Sequence, residues 1–300
     1  MTNTPSRRNF ILSIAILAFM YFVFGFVSWI NAILIPYFKI TCELKTHFEA
    51  LLVTLAFYSP YFFMSLLAGF LLKRIGFKRG IMIGFFLLAT GAFIFVPAAM
   101  TRFYGIFLVG LFSMGTGLAI LQTAANPYVT IIGPIDRTVQ RMSIMGVCNK
   151  FAGIVSPLIF AAIILKDSDK ALLDALPAMT EVAKNAALDE LTLRMMIPYA
   201  CLAVLLTGAG LFIRYSILPE INTEEESKET ATAHEGKKYL IQFPYLMLGA
   251  LAIFTHVGTQ VISIDTIIGY ATSMGMDLLS AKAFPSFTLT ATITGYDRSG

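Results

Sequence analysis

The sequence predicts an all-α transmembrane fold, and three observations carry that prediction. Charged residues make up only 13% of the chain and mean hydropathy is +0.76, against about 25% charge in soluble domains. Residues 10–38, 50–72, 80–101, 103–135 and 195–213 contain no Asp, Glu, Lys or Arg, while 142–165 and 239–276 contain one charge each, Lys150 and Asp265. A hydrocarbon core of about 30 Å takes roughly 20 apolar residues in a helix. Only a helix satisfies its backbone polar groups within one such segment. An eighth run, 283–296, reaches about 14 residues before Asp297 and Arg298. The expected architecture is a six-helix N-terminal bundle followed by an incomplete second bundle, made of helix 7 and part of helix 8.

Each span has its own boundary signal. The first begins after Arg7 and Arg8 and runs too long for a secretory h-region of about 7–15 residues, so it reads as a retained helix. Residues 39–49, 73–79 and 136–141 make short connections, and Arg102 alone parts the third and fourth spans. Two connections are longer. Residues 166–194 are rich in acids and hold Pro177; residues 214–238 carry Glu224, Glu225 and Glu226 and a polar run. That composition shift marks a linker. It divides the chain into an N-terminal bundle at 1–217, a linker at 218–238 and the start of a second bundle at 239–300.

Orientation follows from Lys and Arg counted on alternate sides. Twelve fall on the side of the N-terminus and eight on the other, with Lys73, Arg74, Lys78 and Arg79 crowded into one turn. The bias puts the N-terminus and the linker in the cytoplasm. Function classes are also excluded. A net charge of +4 spread over loops gives no nucleic-acid surface. Cys42, Cys148 and Cys201 lack metal-ligand spacing, and two of them sit in apolar spans as small packing groups. No zinc signature, nucleophile constellation or phosphate loop occurs, so neither an enzyme nor a cofactor is expected.

Polar residues inside apolar spans are where function is sought. Gln122 and Asn126 are four apart, on one helical face, and Pro127 would free a carbonyl near Thr123. Paired amides offer donors and acceptors to sugar hydroxyls, although interhelical hydrogen bonding gives the same pattern. Lys150 lies mid-span, where a cation is costly and must face a cavity or a partner. Asp265 is the only acid within these spans and the natural cation-coupling candidate, with pairing to Lys150 as the alternative. His256 and Gln260 share a face; Asp265, nine residues past His256, falls opposite unless Gly258 bends the helix. His256 reads as a packed, hydrogen-bonded histidine. Trp29 suits either a sugar ring or core packing, and packing is the simpler assignment. Gly115 and Gly117 fit close helix contact.

The string Gly69-Phe-Leu-Leu-Lys73-Arg74-Ile-Gly76-Phe-Lys78-Arg79 resembles the signature loop of the major facilitator superfamily. In that reading Gly69 lets helix ends approach, Gly76 makes the turn, and Arg74, Lys78 and Arg79 meet helix ends or acids. Lys73 stands where the signature has Asp. Asn31-Ala32-Ile-Leu-Ile-Pro36, the string from Gln122 to Pro134, Arg141 to Lys150, and His256-Val-Gly-Thr-Gln260 resemble the fucose–galactose–glucose symporter family. The glucose/galactose transporter branch is the most similar part of it.

The resemblance implies two six-helix bundles with a sugar held between them. It matches Asn126, Asn149 and Gln260 to polar residues that line the sugar cavity, and Asn31 and Gln122 join them as candidate sugar-binding residues. Ala32 and Gln122 stand where the fucose transporter has its proton-linked Asp and Glu, so coupling by those two acids is not carried over. Lys150 and Asp265 are the remaining coupling candidates. The expected function is import of a glucose- or galactose-like hexose across the bacterial inner membrane by alternating access, with H+ or Na+ as a possible partner. The alternative is a non-transporting remnant, since helix 8 is cut short. Nothing in the residues fixes an oligomeric state.

Overall fold

The computed structural model describes residues 7–166, 168–218 and 243–297. The expected linker at 218–238 lies outside them apart from Leu218, as do Arg298 to Gly300. Among the described residues all regular structure is helical: α1 (Arg7–Trp29), α2 (Asn31–Thr41), α3 (His47–Ile75), α4 (Phe77–Thr101), α5 (Tyr104–Ile131), α6 (Thr138–Ile164), α7 (Asp169–Ala175), α8 (Glu181–Leu193), α9 (Met196–Tyr215), α10 (Pro244–Ser273), α11 (Leu278–Ala281) and α12 (Phe284–Asp297). Seven stretches of the described residues are long and apolar enough to cross a membrane, the first being α1 with α2 and the sixth α8 with α9. The alternation expected for seven spans is present.

Two elements differ from the sequence reading. The first span is interrupted at Ile30, between α1 and α2, with Pro36 one to two turns beyond. The charged connection 166–194 is mostly helical rather than a plain loop. Thr180 caps α8 by accepting from the Ala183 amide, and Arg194 binds the buried Asp169 carboxylate at 2.7 and 2.9 Å. Lys184 pairs with Glu43, and Arg102 reaches Asp189 at 3.0 Å. These pairs join segments far apart in sequence, so residue spacing could not announce them.

Lipid gives helices no hydrophobic reason to associate, so close contact through small residues matters. A Cβ on Gly117 would lie 2.6 Å from the Gly84 carbonyl oxygen, and one on Gly91 2.6 Å from that of Gly110. α4 and α5 therefore meet backbone to backbone. Gly115 does the same against Phe57 of α3, at 2.0 Å. Around these contacts stacks an aromatic cluster of Phe38, Phe95, Phe107 and Tyr199, with the Phe95 and Tyr199 rings 3.9 Å apart.

The turns are fixed by specific caps. Gly76 has φ +86° and ends α3 while starting α4, a conformation that favours glycine. Lys78 donates to the Ser216 carbonyl at the end of α9, at 2.5 Å. Arg74 and Arg79 are exposed. Gly69 departs from expectation: open space surrounds its missing Cβ, because no described element packs on that face. Thr46 and Glu49 form a reciprocal capping box on α3. Arg141 is buried and donates to the carbonyls of Val129, Thr130 and Pro134, which closes the C-terminus of α5.

The molecule thus has a Gly76 side and an α8 side. α10 joins the first six spans unevenly. Its buried residues, Val261, Ile264, Asp265, Ile268 and Ala271, all lie in the half nearer the α8 side, whereas its first half is exposed.

Candidate functional site

A cavity of about 670 Å³ lies between α10 and the first six spans, walled by α1, α3, α5 and α6. Ser28 and Trp29 enter from α1, and Thr54, Tyr58 and Tyr61 from α3. Gln122 comes from α5, Asn149 and Lys150 from α6, and Gln260 from α10. Four sequence-selected residues therefore converge: Gln122, Asn149, Lys150 and Gln260. Lys150 is the only Asp, Glu, Lys or Arg in this lining.

Neighbouring contacts determine how these groups point. Lys150 Nζ donates to Gln260 Oε1 at 2.6 Å and stands 4.6 Å from the Trp29 ring centre. The indole N–H of Trp29 donates to Asn149 Oδ1 at 3.4 Å, and the Asn149 amide donates to the Tyr21 carbonyl at 3.3 Å. Gly25 permits this register, since a Cβ there would come within 2.0 Å of the Asn149 carbonyl oxygen. Gly153 leaves room for the indole in the same way. Trp29 thus packs, as expected, and also lines the cavity.

The remaining site residues are placed elsewhere. Asn126, one turn beyond Gln122, is exposed and accepts from the Tyr21 hydroxyl at 2.5 Å. It reaches Asn149 only through Tyr21, since the extra turn carries it past the cavity. Asn31 is 1% exposed, outside the lining, with its amide nitrogen unpartnered. Asp265 is also 1% exposed; it accepts from Thr54 at 2.9 Å and lines a separate cavity of about 600 Å³ beside α2. Among the described residues it forms no ion pair with Lys150.

α10 runs unbroken through Gly258. His256 and Asp265 accordingly serve different surfaces. His256 is exposed, not packed, and lies in a hydroxyl-rich groove with Thr259, Ser263, Thr288 and Thr292. Sequence reasoning missed Thr54, Tyr58 and Tyr61. Their spacing of four and three residues is a one-face signal, hidden by the many aromatics that fill the spans. No group of three or more metal-ligating side chains occurs among the described residues.

An all-helical, multi-pass membrane protein with a polar hollow between its first six spans and its seventh is the class that fold and site define. The sequence profile of the Major Facilitator Superfamily matches residues 17–296, and the chain belongs to that family. It is 35% identical over 260 residues to a glucose/galactose transporter of Brucella abortus, covering 87% of this chain and 58% of the relative. It is 32% identical over 265 residues to the L-fucose-proton symporter of Escherichia coli, covering 88% and 60%. A crystal structure of the Escherichia coli fucose:proton symporter superposes with TM-score 0.74 at 28% identity, over 97% of this chain and 70% of that one. Another, in the outward conformation, gives 0.73 at 29% identity. The chain spans about three fifths of the length of the curated relatives it matches.

Proposed function

We propose that the protein is a carrier for a neutral hexose of the glucose or galactose type, working by alternating access. One observation carries this reading: Gln122, Asn149, Lys150 and Gln260, from three helices, meet in one aromatic-walled cavity. Aromatic faces suit the apolar face of a sugar ring. Two or more amides supply both donors and acceptors for hydroxyls, and an ammonium has three donors, of which Gln260 uses one. Each hydrogen bond gained contributes a net ~0.5–1.5 kcal/mol, so four or so are on the scale of the ~4 kcal/mol of millimolar binding. The relatives named as glucose/galactose transporters support the choice of hexose.

The same reading puts the Gly76 side in the cytoplasm of a bacterial inner membrane, in line with the excess of Lys and Arg there. It takes 1–217 as one bundle, 218–238 as a linker and 239–300 as the opening of a second. Asn126 and Asn31 act at a distance from the sugar, through Tyr21 and through packing. Lys150 and Asp265 are the groups available for cation coupling, with H+ supported by the proton symporters among the relatives.

The test is counterflow in liposomes preloaded with unlabelled glucose or galactose. Labelled sugar is expected to accumulate transiently, and Asn149→Ala to lower the initial rate roughly tenfold, corresponding to about 1.4 kcal/mol. Absence of exchange with every hexose would end the carrier reading.

A further inference from the structure

We propose that Asp265 is a proton site whose occupancy fastens the second half of α10 against α2 and α3. The α8 side then closes when the carboxyl is protonated and opens when it is charged. This deepens the carrier reading and rests on it for its consequence in transport.

Asp265 is 1% exposed, and its Oδ1 has no hydrogen-bond partner. Thr54 Oγ1 is its hydrogen-bond donor among the described residues, to Oδ2 at 2.9 Å. A buried carboxylate held by one neutral hydroxyl is costly. The cost of burying a charge is removed when hydronium gives a proton to Oδ1: one O–H bond of hydronium breaks and leaves water, one O–H bond forms at Oδ1, the side chain becomes neutral, and Thr54 keeps its bond to Oδ2. A hard metal cation would need about six oxygens, and the carboxyl with one hydroxyl falls well short.

The carboxyl sits where α10 is clamped. Val261, Ile264, Ile268 and Ala271 are buried around it, and the other half of the helix is exposed. Charging it therefore acts on the contact that closes the α8 side. Lys39 from α2 and Tyr270 from α10 line the same cavity as Asp265, and Tyr58 from α3 lies within its electrostatic reach. Lys150, from α6, is turned to Gln260 in the neighbouring cavity. A second link on the same side, Lys170 with Asp277 at 3.3 Å, cannot supply the switch. The Ser280 amide and hydroxyl, with Lys170, hold the Asp277 carboxyl below its ordinary range. It stays charged throughout neutral pH and titrates only in more acid solution.

The experiment uses the whole chain with Cys42, Cys148 and Cys201 changed to Ala, spin-labelled after Lys45→Cys and Met274→Cys. The distance between the labels is read by pulsed electron resonance at about pH 5 and pH 9. We expect one short distance at the lower pH and an added longer population at the higher. Asp265→Asn should keep the short distance at both. Thr54→Val, which removes the donor to the carboxylate, should enlarge the long population at pH 9 and leave pH 5 short; it also serves if Asp265→Asn fails to fold. A distance indifferent to pH, a lengthening that survives Asp265→Asn, or a Thr54→Val protein identical to the parent overturns the proposal. Loss of sugar counterflow with the pH response intact would sink only the carrier reading, and the reverse result only this one.

Discussion

At the scale of single residues, rarity was the readable signal. Gln122, Asn149, Lys150 and Gln260 stand out because polar groups are expensive in apolar spans, and they converge on one cavity. Tyr58 and Tyr61 did not stand out, because aromatics are common in these spans. Asn126 shows the limit of face arguments: it shares a face with Gln122, yet one turn carries it past the hollow to Tyr21. Within the proposed site, Lys150 touches Gln260 and lies over Trp29. Lys150→Met removes the ammonium while keeping a stem of similar length. Hexose affinity, measured by isothermal titration, should fall roughly tenfold, or about 1.4 kcal/mol. Affinity unchanged within twofold would remove Lys150 from the sugar's contacts.

At the scale of elements, span positions were legible and their internal breaks and surface helices were not. Hydropathy locates α3 to α6 because it integrates over some 20 residues. The interruption at Ile30 falls within one turn, below that resolution. α7 and α8 depend on pairs such as Arg194 with Asp169 and Lys184 with Glu43, which are set by the tertiary fold. Glycine contacts lead to a sharp stability prediction. A side chain at Gly115 must push α3 away from α5 at Phe57, whereas Gly208 faces open space. Gly115→Val should lower the melting temperature of the detergent-solubilised protein by several degrees, for a cost of about 1–3 kcal/mol. Gly208→Val should leave it nearly unchanged. Equal effects at the two positions would contradict the packing described.

At the scale of the whole molecule, the helix order places the turns at Gly76 and Arg137 on one side and α7, α8 and the 274–283 segment on the other. Sequence alone gave this alternation, because charge-free runs and short connections leave one threading. The uneven clamp on α10 was not readable, since it depends on which half of one helix meets α2. Membrane-impermeant thiol reagents test the orientation. In otherwise cysteine-free protein, Arg79→Cys should label only from the cytoplasmic face and Lys184→Cys only from outside. The opposite pattern would invert the proposed topology.

The cavity beside Trp29 is the proposed hexose site. Trp29 is the single tryptophan of the chain and lines that cavity, so its fluorescence reports on the site directly. Titrating the purified protein with glucose and with galactose should change Trp29 emission in a saturable manner, and the midpoint should shift roughly tenfold upward in Asn149→Ala, about 1.4 kcal/mol. An emission spectrum unmoved by any hexose, or a saturable change identical in Asn149→Ala, would contradict the account.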